Sequence, residues 1–474
     1  MTKAVSAKSP APKPPRPKSF RFTLGSHVEL GRALLQQLEV TVGGKLRSAI
    51  YDEGSLYVYD LKRGIWRSVN EVEAGKIVQG FDGRPAQGRP IKLKESDVRG
   101  AMSCARRESA HEGFFASAPA GLVFKDSLVG VTPDGKVHKT PHSSDNRARF
   151  AYDFEYTDKE PKRFLKALVG MFRPDADAAE KIQLVGEFAG ACLLGVATRF
   201  QRWVLLKGGG DDGKSTLIDM IGGAMPEGAV CSIKPEDLED EYDRADLAGK
   251  LLNTVTEVRQ RDILGAETLK AVTAGDRMRG RHIHQSPIDF RPRAGHLFAA
   301  NGYPKFSDSS HGFWRRPVVV TFNRRFTGDP ERKVGLSEEI LAAERPEIVC
   351  WFLRAGAEAI ARGAYIEPKS HAAAIAEWRG ETDAVFEFVE ERLVLSNQKK
   401  ASISNGWSPP GTLYEAFCAW TRDTGHREMS STAFGRRLTE LGFAEIRTNG
   451  VRYRPLRVLR NGEVKTLDGT AASN

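Results

Sequence analysis

The sequence predicts an α/β fold built on a mainly parallel sheet, and three observations predict it. Five apolar segments, "RWVLL", "AVCSI", "KLLNTVT", "GHLFAA" and "RPVVVTF", recur between residues 202 and 322 and read as buried strands. Longer polar or helical stretches separate them, as crossovers between parallel strands require. The first strand runs straight into "GGGDDGKST", a Gly-rich turn that opens a helix. Together these imply a three-layer unit with helices on both faces of the sheet.

The remaining elements are arranged around this unit. A chain of 474 residues exceeds the roughly 250–300 at which one core stops growing, so several domains are expected. Residues 1–22, rich in Pro, Ser and Lys, read as a disordered basic arm. Residues 23–160 pass from a helical pattern, "HVELGRALLQQL", to strand-like alternation, "LYVYDLKRGIWRSV", and form a mixed α/β domain. Within it a Pro133–Gly135 turn separates two short strands. Residues 161–200 carry apolar positions at three- and four-residue spacing and form a helical collar. The phosphate-loop domain covers 201–326, a helical segment 327–397, and a linker with a small terminal domain 398–474.

The formal net charge of +10 points towards polyanions, but six of the positive charges sit in the arm. Any nucleic-acid site in the folded part is therefore local. Five cysteines, with no CxxC or paired-His spacing, fit neither a zinc site nor a disulfide framework, and suit a reducing cytoplasm. No apolar run approaches the ~20 residues of a membrane span, and the start lacks the apolar core of a signal peptide. A membrane partner is not expected.

Gly208, Gly213, Lys214 and Ser215 fit G-x-x-x-x-G-K-[ST] between a strand and a helix. Backbone amides of Gly208, Gly209, Gly210, Asp211, Asp212, Gly213 and Thr216 would curl around phosphate oxygens at a helix N-terminus. Lys214 adds a point charge, and the Ser215 hydroxyl reaches Mg²⁺. Asp211 and Asp212 bring carboxylates close to a polyanion; they must point outward or act on water or metal. Glu257 follows the strand "LLNTVT" and suits a group that orients water or holds Mg²⁺; with Thr256 before it, the metal contact would run through water. Asn301 leaves a strand where an amide can meet a γ-phosphate, and Arg315 and Arg316 precede the last strand, where an arginine can reach a neighbouring subunit.

In order, "GGGDDGKST", "GKLLNTVTE", "LKAVTAGDRMRGRHIHQSPIDFRPRAGHLFAAN" and "FWRRPVVVTF" resemble the superfamily 3 helicases. The branch found in satellite-phage, plasmid and poxvirus primase-helicases is the most similar. "YVYDLKRGIW", "SSDNRARFAYDFEY" and "EFAGACLLG" are also similar to the domain preceding that motor, so the resemblance extends over most of the chain. It implies an AAA+-like core in which Lys214 and Ser215 bind ATP·Mg²⁺, Glu257 orients the hydrolytic water and Asn301 senses the γ-phosphate. It also implies a hexameric ring completed by a trans-acting arginine, with Arg316, six residues before Phe322, as first choice and Arg315 as second.

Between Glu257 and Asn301 the family has a β-hairpin projecting into the ring channel. Here Arg277, Arg279, Arg281, His282 and His284, with Lys270 on the preceding helix, could contact the phosphates of a single strand. The family's hairpin-tip lysine has no counterpart; His284 is nearest by spacing.

At the C-terminal end, Leu413, Phe417 and Trp420 share one helical face. A second helix, capped by Ser430 or Ser431, buries Phe434, Leu438 and Leu441. An Asn-Gly hairpin follows, which completes a winged helix. Arg436, Arg437, Arg447, Arg452 and Arg454 line the outer helix and wing. Contact with duplex DNA or a partner, and a purely structural role, both stand open.

The expected activity is ATP-driven DNA unwinding in phage or mobile-element replication, in the cytoplasm of a bacterial host. The alternative is an origin-binding initiator that uses ATP for assembly. "AYDFEY" at 151–156 lies in the pre-motor stretch, so priming is not expected, and a separate primase partner stays open.

Overall fold

The computed structural model describes residues 20–258, 263–283, 287–306, 311–396, 398, 401–426, 428–459, 463–465 and 471–473. The chain divides into two compact units: residues up to 128 with 140–153, and residues 129–139 with 154 onward.

In the first unit the helix His27–Leu38 starts where Ser26 accepts the Glu29 amide and the Glu29 carboxylate accepts amides back to Thr23. That reciprocal cap satisfies the donors every helix start leaves over. Leu30 and Leu34 on its inner face pack with Leu56, Val58, Val78 and Ala101. These come from an antiparallel sheet (Ile50–Asp52, Ser55–Asp60, Ile65–Val69) and the helices Glu71–Gln79 and Glu95–Glu108. A buried ion pair, Arg149 Nη1 to Glu53 Oε2 at 2.5 Å, holds the returning segment, with the guanidinium over the Phe115 ring.

The second unit is organised by a five-stranded sheet: β1 (Trp203–Gly208), β2 (Val230–Cys231), β3 (Leu252–Val255), β4 (Gly295–Ala300) and β5 (Pro317–Phe322). All its pairings are parallel and the order is β2-β3-β4-β1-β5. The five segments expected to be strands are thus the five strands of one α/β sheet. Trp203, Leu205, Phe298 and Val319 face one side and pack with Leu269, Ala374 and Trp378. Helices α1 (Ala178–Leu193) and α2 (Lys214–Ala224) pack against β4 from elsewhere, and the long α3 (Leu336–Arg362) lies along both.

Helices α1 and α3 cross at Gly190 and Gly356. A methyl group at Gly190 would collide with the Phe352 carbonyl, and one at Gly356 would lie 2.6 Å from the Gly190 carbonyl carbon. Backbone therefore meets backbone there. Along α1, buried Lys181 donates to Asp175 at 2.9 Å and to the Thr321 carbonyl at 2.8 Å, which ties the helix to the end of β5. Buried Glu187 accepts from Arg362 and from the Ile366 amide at 2.8 Å. Both buried charges are paired, as their desolvation demands.

At the far end, α4 (Pro410–Thr424) and α5 (Ser431–Glu440) precede a hairpin, Ile446–Thr448 with Val451–Tyr453. Its turn residues Asn449 and Gly450 both have positive φ, as the two-residue turn of a twisted hairpin requires. Ser430 caps α5 by accepting the Ala433 amide. Phe388, Leu413, Phe417, Trp420, Phe434 and Leu438 form the core beneath.

Candidate functional site

The candidate site assembles at the C-terminal end of the parallel sheet, where open α/β sheets hold their ligands. The loop after β1 turns through Gly210 at φ +91° and Gly213 at φ +94°, values that a side chain would strain. Asp211 between them takes φ +49°, which aspartate tolerates. Lys214 then starts α2, with Ser215 exposed and Thr216 half-buried in its first turn.

Register brings the other groups to the same edge. Ala300 of β4 pairs with Lys207 of β1, so Asn301 emerges level with Gly208. Val255 of β3 pairs with Phe298, and the Val258 amide donates to the Ala299 carbonyl at 2.8 Å, which holds Glu257 alongside the end of β4. Glu257 and Asn301 are both exposed. Because β4 lies between β3 and β1, Asn301 emerges from the strand that separates those of Glu257 and of the loop.

Of the alternatives the sequence left open for Asp212, the outward one is not taken: the carboxylate turns inward. Its Oδ2 lies 2.5 Å from Lys214 Nζ and 3.3 Å from the Gly210 amide, and its Oδ1 accepts the Lys214 amide at 3.3 Å. Both side chains are buried. The carboxylate has taken up donors that such a loop offers to phosphate. The reason is local: an anion two residues before a buried ammonium is the shortest available route to neutrality. Asp211 turns the other way. Its carboxylate accepts the Thr327 hydroxyl at 2.7 Å and lies 3.4 Å from Arg332, and its carbonyl accepts the Phe326 amide at 2.8 Å. These contacts lace the loop to the segment after β5.

The two arginines before β5 stand at the opposite end of the sheet. Pro317 pairs with Trp203, whereas Phe322 pairs with Gly208. Arg315 is exposed and donates to Gln201 at 3.2 Å. Arg316 is buried, donates to the Gly312 carbonyl at 2.8 Å, and its pKa is lowered by desolvation and by Arg315. Of the two, Arg315 has the free reach that a group acting on another molecule needs.

Of the hairpin expected between Glu257 and Asn301, the two strands are described, Met278–Gly280 paired antiparallel with Ile288–Phe290. Arg277 and Arg279 are exposed, yet both lean on Asp289, at 3.2 Å and 3.3 Å. Arg281 and Lys270 are half-buried, and His282 lies 3.7 Å from Asp246. His284 lies outside the described residues.

In the terminal domain Arg436 and Arg452 are exposed, as is Arg447. Arg437 and Arg454 are corrections to the expected basic face. Arg437 is buried and gives Asp383 Oδ2 two bonds, at 2.8 Å and 2.6 Å. Arg454 is buried and donates to the carbonyls of Gly435 and Phe443. Spacing carried the signal for Arg437, which falls between Phe434 and Leu438 on the inward helical stripe.

Comparison with known proteins adds three findings. Residues 206–316 match a family of unknown function (DUF5906), a span that runs from β1 to the arginine pair. A protein of Acanthamoeba polyphaga mimivirus, named as a candidate helicase, is 23% identical over 273 residues, which is 52% of this chain. The match spans only 28% of that relative's own length. Among solved structures, the apo C-terminal region of NrS-1 matches over 91% of this chain and 99% of its own, at 13% identity and TM-scores of 0.44 and 0.45 in two structures.

No helix among the described residues is long and apolar enough to cross a membrane.

Proposed function

We propose that this chain is an ATP-driven DNA helicase of the superfamily 3 type, with an AAA+-like phosphate-loop core, that works as a ring, hexameric by family resemblance. Its setting would be phage or mobile-element replication in the cytoplasm of a bacterial host. One observation carries the reading. Lys214, Glu257 and Asn301 converge on one end of the sheet, while Arg315 and Arg316 stand at the other.

The five residue steps from Pro317 to Phe322 span about 16 Å at ~3.3 Å per residue. That is beyond the reach of an arginine side chain, so neither arginine serves its own loop. In a ring it would face the neighbour's, and Arg315 is the better placed. The mimivirus relative, a helicase by name, supports the same activity class.

The residues present fit ATP. The left-handed glycines shape a cradle, Lys214 supplies a cation at its floor, and Ser215 stands in the first turn of α2. Mg²⁺, when bound, neutralises charge on the β- and γ-phosphate oxygens. Among the described residues no three His, Cys, Asp or Glu side chains gather as metal ligands. Ser215 would therefore be the direct protein ligand, with Glu257 acting through water. Glu257 would orient the attacking water and Asn301 would hydrogen-bond the γ-phosphate. Asp212 must release Lys214 for phosphate to enter.

Arg277, Arg279, Arg281, His282 and Lys270 would track a single strand by its backbone. We read residues 398–474 as a linker and winged helix in which Arg436, Arg447 and Arg452 face duplex DNA. That exposed basic set also favours a second reading, an origin-binding initiator that uses ATP for assembly. Hydrolysis and fork unwinding, measured for the wild type and Lys214→Ala, separate them. The helicase shows DNA-stimulated turnover and strand displacement that Lys214→Ala abolishes. Saturable binding to one duplex sequence without displacement replaces it with the initiator.

A further inference from the structure

We infer that Arg325 is a phosphate ligand of its own chain's loop, a cis counterpart to the arginine before β5. The inference rests on the phosphate-loop reading and concerns a residue that neither the motif nor the family resemblance singles out.

The geometry comes from the end of β5. Phe322 pairs with Gly208, so the residues that follow emerge beside the loop. A methyl group at Gly209 would lie 2.9 Å from Arg325 Nη2 and 3.6 Å from its Nε, so the guanidinium rests directly on the loop backbone. The segment is held there by Asp211, which binds Phe326 and Thr327 on the next two positions.

Its neighbour takes no part. Arg324 spends its guanidinium on Asp329, Glu331 and the Gly170 carbonyl. Arg325 is exposed, and among the described residues no carboxylate lies within ion-pair distance of it. A guanidinium set on a phosphate cradle without an acidic partner suits bidentate binding of phosphate oxygens.

The side of the cradle is also defined. Asp212 Oδ2 sits against Gly208, where a methyl group would overlap it, and the same oxygen holds Lys214 Nζ. Arg325 at Gly209 stands one residue further along the same loop, and a second cation there adds most for the ligand that carries the most phosphate charge. It should favour the triphosphate over the diphosphate. Gly209 serves this directly: a methyl group there would displace the end of the guanidinium from its present seat.

The test is equilibrium binding of ATP and ADP to the full chain, with wild type, Arg325→Ala, Arg325→Lys and Gly209→Ala. Arg325→Ala should weaken ATP at least tenfold, the size expected for a lost charge-assisted bond, and ADP less. Arg325→Lys should recover part of the loss, and Gly209→Ala should mimic Arg325→Ala in direction. Unchanged melting temperatures exclude misfolding, which an exposed side chain gives no reason to expect. Wild-type affinity for both nucleotides in Arg325→Ala overturns this inference alone. A wild type that binds neither nucleotide overturns the phosphate-loop reading and this inference with it.

Discussion

Lys214 Nζ lies 2.5 Å from Asp212 Oδ2, so the cation that should meet a phosphate is held by an anion from its own loop. On the proposed reading, a bound nucleotide has to break this buried pair and relocate the carboxylate. Asp212→Asn removes the competing charge and keeps one oxygen, enough to accept one of the Gly210 and Lys214 amides. It should tighten ATP roughly tenfold, about 1.4 kcal/mol, as read by calorimetric titration. Weaker binding would mean that the carboxylate supports the cradle rather than fills it.

Arg315→Ala should lower ATP hydrolysis by about 10³-fold or more, the range known for trans-acting arginines. An equal mixture with Lys214→Ala should regain activity, because each variant supplies what the other lacks at a shared boundary. Arg316→Ala should also lower the melting temperature, since its buried guanidinium bonds the Gly312 carbonyl. A mixture with no recovery would place the arginine outside the reaction.

Asp383 accepts the Val385 and Phe386 amides on one oxygen and Arg437 on the other, so it caps one helix and anchors another. Asp383→Ala removes a helix cap and two of the bonds of a buried guanidinium, leaving Arg437 with Glu440 at 2.9 Å. Chemical denaturation should record a loss of about 2–4 kcal/mol for the terminal domain. DNA binding by that domain at temperatures where it stays folded should persist, because Arg437 faces inward.

His296 on β4 is fully buried; its pKa is lowered to about 4 by desolvation, and its Nδ1 accepts from Asn253 Nδ2 at 3.2 Å. The unfolded chain binds that proton near pH 6.5 and the folded chain only near pH 4. Stability is therefore fully present above pH 6.5 and falls as pH drops towards 4, by about 3 kcal/mol at most. Denaturation midpoints across this window should show the slope, and His296→Gln should flatten it.

Much of this was legible in the sequence. Five apolar runs became five strands because burial on both faces leaves no polar alternation to confuse them. Glu257, Asn301 and the loop could be placed at one edge from strand polarity alone. Strand order could not, since nothing local says that β4 inserts between β3 and β1. Long-range pairs were equally hidden: Arg437 meets a carboxylate 54 positions away, and Arg325 is brought to the loop by β5 register and by the Asp211 contacts that follow it. The sequence left the direction of Asp212 open, and its pairing with a lysine two residues on is visible only in the folded loop.

The crossing of α1 and α3 at Gly190 and Gly356 has a reach beyond its own size. With main chain against main chain, no rotamer can absorb an added methyl group, so the two helices would have to part. Lys181 on α1 would then lose its hold on Thr321, one residue before Phe322 and four before Arg325. A single carbon at Gly190 is thus expected to be felt at the phosphate loop, as a dull edge in nucleotide affinity from a position that touches no nucleotide.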